Sequence, residues 1–126
     1  MVEILNLPRP HKRALRITPD GQINLRKRII DLLQLQKGDG VIFCIDDRKQ
    51  MFVYKDNDDP RSLRLKGRKG QLTAYSAATA RILVASVENL PREDRNKPVE
   101  LVAFNATAML SVEDKKFKAV KIINRV

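Results

Sequence analysis

The sequence predicts an α+β fold made of small β-hairpins with one helix in each half, in the order ββαββ twice. Short segments with alternating apolar and polar residues recur along the 126-residue chain, which is typical of strands. Two stretches, 26–35 and 77–87, change to the apolar spacing of a helix. Gly, Pro, Asn and Asp cluster between these segments, where turns are expected. The hydrophobic content of 43% is sufficient for a folded core.

The first half is predicted to hold two hairpins around one helix. Its elements are strands 13–18 and 22–25, helix 26–35, and strands 41–45 and 50–55. Pro19, Asp20 and Gly21 predict the first turn, because Pro restricts φ and Gly accepts a positive φ. Residues 1–12 are interpreted as an N-terminal arm and 13–57 as one unit. The polar stretch 56–60 is the candidate linker.

The second half, 61–126, is predicted to repeat this order. Its elements are strand 62–66, a basic turn at 67–70, strand 71–75, helix 77–87, and strands 99–104, 109–112 and 117–123. Ser76 is a suitable N-cap for the helix. Leu15-Arg16-Ile17 before Gly21-Gln22-Ile23 matches Leu63-Arg64-Leu65 before Gly70-Gln71-Leu72. This pattern predicts either an internal duplication or two unrelated units that use the same common residues.

Charge is the most informative property of the composition. Twenty-five Lys and Arg residues against fifteen Asp and Glu residues give a net charge of +10, which attracts polyanions. A basic protein without a nucleic-acid partner is the alternative. No apolar run approaches the ~20 residues of a membrane span. The N-terminus lacks the pattern of a signal peptide. The lone Cys44, expected to be a buried apolar residue, suits a reducing compartment, so we expect a cytoplasmic protein.

Residues 21–43 carry a family resemblance. Nine positions fall in register with a motif of glycine, aliphatic, basic and Gly-Asp positions: Gly21, Ile23, Leu25, Lys27, Ile29, Leu33, Leu35, Gly38 and Asp39. This pattern resembles the AbrB/SpoVT swapped-hairpin family of bacterial transcription factors and antitoxins, over residues 13–55 or so. The resemblance implies a swapped-hairpin barrel in the N-terminal half, DNA binding, transcription regulation and an intertwined homodimer. If the duplication is real, one chain supplies both units, as in the MraZ branch.

The chain departs from the family pattern at four positions. Arg26 replaces the usual proline, Gln22 a basic residue, Ile30 the helix arginine and Gln34 a glycine. The family often uses the replaced arginine and the replaced basic residue in DNA contact or dimer pairing. Arg26 and Arg28 are candidates to restore the lost charge.

The candidate nucleic-acid-binding residues form three basic groups. They are Arg13 and Arg16 in the first strand; Arg26, Lys27 and Arg28 at the helix start; and Arg64, Lys66, Arg68 and Lys69 in the second half. Cations at a helix N-terminus oppose the helix dipole, which favours a functional reason for the second group. The third group is equally explained as a charged edge strand that resists aggregation. Few aromatic residues lie near these groups, so duplex DNA is preferred to single strands, with RNA second.

An enzyme is not predicted. The sequence lacks a phosphate-binding loop, a dinucleotide fingerprint and a paired Cys/His set, and no catalytic residue, metal, cofactor or small-molecule substrate is expected. Asp56, Asp58 and Asp59 are interpreted as a polar loop rather than a cation site. Two alternatives to a DNA-binding regulator stay open: a structural or assembly protein of a phage or mobile element, and an antitoxin-type protein that binds a partner.

Overall fold

The computed structural model describes residues 12–68, 71–85 and 98–123, apart from the side chains of Lys12, Arg13, Arg68 and Asn105. Residues 1–11 of the predicted arm 1–12 lie outside these residues, and Lys12 is the first residue of the first strand. The nine strands among these described residues are β1 (Lys12–Ile17), β2 (Gln22–Leu25), β3 (Gly40–Ile45), β4 (Met51–Lys55), β5 (Leu63–Arg64), β6 (Lys66–Arg68), β7 (Gln71–Tyr75), β8 (Val99–Val112) and β9 (Lys115–Ile123). The helices are α1 (Lys27–Leu33) and α2 (Ala77–Ala85). None of the described helices has the length and apolar character needed to cross a membrane.

One antiparallel sheet contains all nine strands, in the order β5-β3-β4-β9-β8-β1-β2-β7-β6. Its two edge strands, β5 and β6, are consecutive in the chain and are separated only by Leu65. Leu65 is itself hydrogen-bonded to the segment before β3. Its carbonyl accepts from Gly38 N at 2.8 Å, and its N–H donates to Asp39 O at 2.9 Å. The sheet is therefore a nearly closed, barrel-like structure.

The barrel is filled by alternating residues of its strands. Leu15, Ile17, Ile23, Leu25 and Leu101 are fully buried, as expected where every second side chain points inward. The helices complete this core with Ile29, Ile30 and Leu33 from α1 and Ala80 and Leu83 from α2. Ser76 caps α2 as predicted, because its Oγ accepts from Thr79 N at 3.1 Å.

Strand order is unchanged when the two halves are exchanged. If β5 and β6 count as one interrupted strand, replacing β1, β2, β3 and β4 by β6, β7, β8 and β9 reproduces every pairing. Asn24 and Thr73 face each other at the centre of the β2–β7 pair, Arg16 pairs with Asn24, and Lys66 pairs with Thr73. The exchange therefore matches Arg16 with Lys66. The sequence pattern instead aligned Arg16 with Arg64, which lies two residues before Lys66. The reason is that a Leu-Arg-aliphatic tripeptide occurs at residues 15–17 and again at 63–65.

The prediction of a mixed fold with many strands and two helices is confirmed, but several boundaries were wrong. The barrel is not confined to the N-terminal half, because β1 and β2 pair with β8 and β7 of the second half. The predicted strands 99–104 and 109–112 are one strand, β8, with a register shift between Ala103 and Thr107. The predicted turn at 67–70 begins inside β6, where Gly67 pairs with Leu72.

Candidate nucleic-acid interface

Four outward-facing residues form a row across four adjacent strands. The register pairs Arg16 of β1 with Asn24 of β2, Asn24 with Thr73 of β7, and Thr73 with Lys66 of β6. We call Arg16, Asn24, Thr73 and Lys66 the cross-strand row. Its two ends are exposed cations, and its centre is a polar pair that is 5% and 8% exposed. Two of the predicted basic groups are therefore brought to one surface by strand pairing.

Hydrogen bonds hold the centre of the row in one arrangement. The Thr73 hydroxyl donates to Asn24 Oδ1 at 2.7 Å, and Gln22 Nε2 donates to the same oxygen at 3.1 Å. Because Asn24 Oδ1 accepts both bonds, the orientation of its amide is determined. Gln22 pairs with Tyr75 in the register, so these two residues form the next outward position along β2 and β7.

Arg26 joins this surface from the N-cap position of α1. Its Nη2 lies 2.7 Å from Glu100 Oε1, and Glu100 pairs with Arg16 in the register. Glu100 therefore lies between two predicted binding residues and neutralises part of their charge. The Arg26 side chain makes no capping bond, so its place at the helix start contributes charge rather than a helix cap.

Lys66 lies beside an exposed aromatic ring at the other end of the row. Its Nζ is 5.9 Å from the centroid of Tyr75, which is 58% exposed. This distance is within the range of a cation–π contact. Arg68 lies opposite Gln71 in β6, two residues beyond Lys66.

Arg64 is instead held by hydrogen bonds to backbone carbonyls of the protein. Its Nη2 donates to Asn57 O at 2.6 Å and its Nη1 to Gly38 O at 3.4 Å. Asn57 in turn accepts from Gly40 N at 2.6 Å and donates to Asp39 at 3.2 Å. The predicted linker at 56–60 is thus bonded to the loop before β3, and Arg64 fastens both segments.

The remaining predicted residues are not brought to the cross-strand row by a described contact. Lys27 is exposed at the first position of α1. Arg28 is partly buried, and its Nη1 has no hydrogen-bond partner among the described residues. Arg13 lies in β1 opposite Val102. Lys69 lies outside the described residues.

Sequence reasoning missed the polar centre of this surface: Gln22, Asn24, Thr73 and Tyr75. Strand alternation was the available signal, since it places Gln22 and Asn24 on one face of β2 and Thr73 and Tyr75 on one face of β7. The β2–β7 pairing that joins these faces connects residues 49 positions apart (73 − 24). Local patterns do not determine such a pairing.

A pocket of about 240 Å³ lies along β3 and has different chemistry. It is lined mainly by apolar side chains, among them Ile42, Tyr54 and Val112, and also by Arg61. Cys44 lines it too and is only partly buried, contrary to expectation, although burial still raises the pKa of its thiol. The described residues contain no cluster of His, Cys, Asp or Glu suited to a metal.

No protein-family model, curated protein or solved structure matches this chain. Function is therefore inferred from the fold and from the side chains of the outward surface.

Proposed function

We propose that the chain is a non-enzymatic nucleic-acid-binding protein of the bacterial cytoplasm, a duplex-DNA-binding transcriptional regulator of AbrB type. The observation that carries the proposal is the cross-strand row, with a cation at each end and hydrogen-bonding side chains between them. Arg26 adds a third cation beside it. The net charge of +10 attracts the polyanion to the molecule, and these cations neutralise phosphates at contact.

The spacing within the row favours a duplex. Arg16 and Lys66 are three strand spacings apart, which is about 14 Å. The major groove of B-DNA is about 12 Å wide, so the two cations can reach the phosphates on its two sides. Gln22, which is partly exposed, lies on the same face of β2 between them, and amide side chains can hydrogen-bond base edges. Tyr75 is the one exposed aromatic residue described on this surface, and a single ring is a poor stacking platform for single strands.

The proposal includes two AbrB-like ββαββ units in one chain, as in the MraZ branch. The exchange of halves that preserves the strand order supports it. Backbone conformation in the motif supports it too, since Gly21 and Gly38 have φ of 98° and 92°. Gln34 stands where the family has glycine, and its φ of 53° is a conformation that glycine adopts readily. In this arrangement a single chain completes the barrel, without an intertwined partner.

The test is a fluorescence-anisotropy titration with a mixed-sequence duplex at several salt concentrations, with single-stranded DNA and RNA as competitors. We expect tight, salt-dependent duplex binding. Arg16→Gln with Lys66→Gln should lower the salt slope by about two units, because each phosphate contact contributes about 0.9. The matched control is Arg48→Gln with Lys49→Gln, which removes two exposed cations from the β3–β4 turn. Absence of duplex binding at low salt, or an equal effect of both pairs, contradicts the proposal.

A further inference from the structure

Gln22 and Tyr75 form an accessible pair at one end of the outward surface. They lie directly opposite each other in the β2–β7 pairing, on the same strand faces as Asn24 and Thr73. Gln22 is partly exposed, and Tyr75 is 58% exposed. Side chains that face each other across antiparallel strands have Cβ atoms about 4.5–5.5 Å apart, so the two can contact one ligand together.

The Gln22 amide is held by the buried centre of the cross-strand row. Its Nε2 donates to Asn24 Oδ1 at 3.1 Å, and the same oxygen accepts from the Thr73 hydroxyl at 2.7 Å. An amide nitrogen has two N–H groups, so this bond leaves one N–H and the carbonyl oxygen of Gln22 for a ligand. A side chain that is already held in one arrangement loses less conformational freedom when it binds.

This end of the surface suits a base edge better than a phosphate. Gln22 N donates to Thr18 Oγ1 at 3.1 Å, and the Thr18 hydroxyl donates to the Asp20 carboxylate. An exposed carboxylate therefore lies two hydrogen bonds from Gln22, and its negative charge repels a phosphate. The cations proposed to bind phosphates, Arg16 and Lys66, are at the ends of the cross-strand row, whereas Gln22 is uncharged.

We propose that Gln22 and Tyr75 together recognise one A·T base pair in the major groove, an inference that rests on the duplex binding proposed above. The remaining N–H and the carbonyl oxygen of Gln22 match the N7 acceptor and the N6 donor of adenine. Guanine offers two acceptors in this groove and cytosine a single donor, so neither base satisfies both groups of the amide. The Tyr75 ring supplies an apolar contact for the thymine C5-methyl group, which lies in the same groove.

Selection of bound sequences from a random duplex library, followed by sequencing, tests the role of Gln22. We expect the wild type to prefer adenine to guanine at one position by about 5- to 150-fold, the discrimination typical of a bidentate contact. In Gln22→Lys the preference at that position should change to guanine, because lysine donates to guanine O6 and N7. Gln36→Lys is the matched control, since it adds the same charge at an exposed position in the loop before β3, and it should keep the preference for adenine. Circular dichroism checks that each variant is folded.

Uracil in place of thymine tests the role of Tyr75, because it removes only the C5-methyl group from the selected duplex. We expect the wild type to bind the uracil duplex about fourfold more weakly, as for one buried methyl-sized group. Tyr75→Ser should bind the two duplexes equally. The same replacement outside the preferred site is the control and should leave the affinity of the wild type unchanged.

Two results overturn the proposal while leaving duplex binding intact. One is a Gln22→Lys variant that selects the same bases as the wild type. The other is a wild type that binds the thymine and uracil duplexes equally. Absence of duplex binding at low salt would instead contradict the proposed function, and this proposal with it, so the two failures are distinguishable.

Discussion

The Thr73 hydroxyl donates a 2.7 Å hydrogen bond to Asn24 Oδ1 across the β2–β7 pair. The bond joins β2 of the first half of the chain to β7 of the second half. These two neighbouring strands take each other's place when the two halves are exchanged. Both side chains are nearly inaccessible to solvent, so a lost partner is not replaced easily by water.

Thr73→Val keeps the shape of the side chain and removes this donor. We expect the free energy of unfolding to fall by about 1 kcal/mol, at the low end for a buried bond because Asn24 Oδ1 still accepts from Gln22. Urea denaturation measures the change. Thr107→Val, a partly exposed threonine in β8, is the control and should have a smaller effect. Equal stability of Thr73→Val and the wild type would show that the bond contributes nothing.

Removing the acid that lies between Arg16 and Arg26 should strengthen duplex binding. Glu100→Gln frees Arg26 from its ion pair and removes a negative charge that would repel a phosphate. A unit-charge interaction at about 4 Å in water is worth about 1 kcal/mol, which corresponds to about a fivefold gain in affinity. Anisotropy at moderate salt measures it.

Stability should change little in Glu100→Gln, because partly exposed ion pairs contribute about 0–1 kcal/mol. Glu113→Gln is the control, since it removes an acid from the turn between β8 and β9. An equal gain in both variants would indicate a general charge effect and would exclude Glu100 from the interface.

Arg64 and Lys66 are expected to have separate roles although both were predicted to bind nucleic acid. Arg64→Ala removes the bonds to Asn57 O and Gly38 O, and we expect a loss of about 1–2 kcal/mol in stability with little change in the salt slope. Lys66→Ala should do the reverse, lowering the salt slope by about 0.9 and leaving stability unchanged. Urea denaturation measures the stability of each variant, and duplex titrations at several salt concentrations measure its salt slope. If Arg64→Ala is as stable as the wild type and its salt slope is reduced, Arg64 belongs to the nucleic-acid interface.

Local elements could be predicted from sequence because their determinants lie within a few residues. The turn at Gly21 followed from a residue that accepts its φ of 98°. The cap at Ser76 followed from a hydroxyl three residues before the amide that it binds. Alternation located most strands, although it could not show that β8 continues through the irregularity after Ala103.

The candidate site was predicted only in part because it depends on long-range pairing. Arg64 and Lys66 are equivalent in the sequence as basic residues of one predicted strand, and only the register places Lys66 opposite Thr73. Glu100 reaches Arg26 across 74 positions. Such contacts are decided by which strands neighbour each other in the nearly closed sheet, and side-chain type alone carries little information about that.

The Asp59–Arg61 pair should be sensitive to strong acid only. Hydrogen bonds from the Arg61 side chain, and then from its backbone N–H, lower the pKa of Asp59 from 3.8 to about 2. A lowered pKa in the folded state means that the pair contributes stability above pH 3.8, and that this contribution is lost as the pH falls toward 2. Carbon-detected NMR titration of the Asp59 carboxyl should give a midpoint near 2 in the wild type. In Arg61→Gln the midpoint should return toward 3.8. A wild-type midpoint near 3.8 would mean that Arg61 does not bind Asp59 in solution.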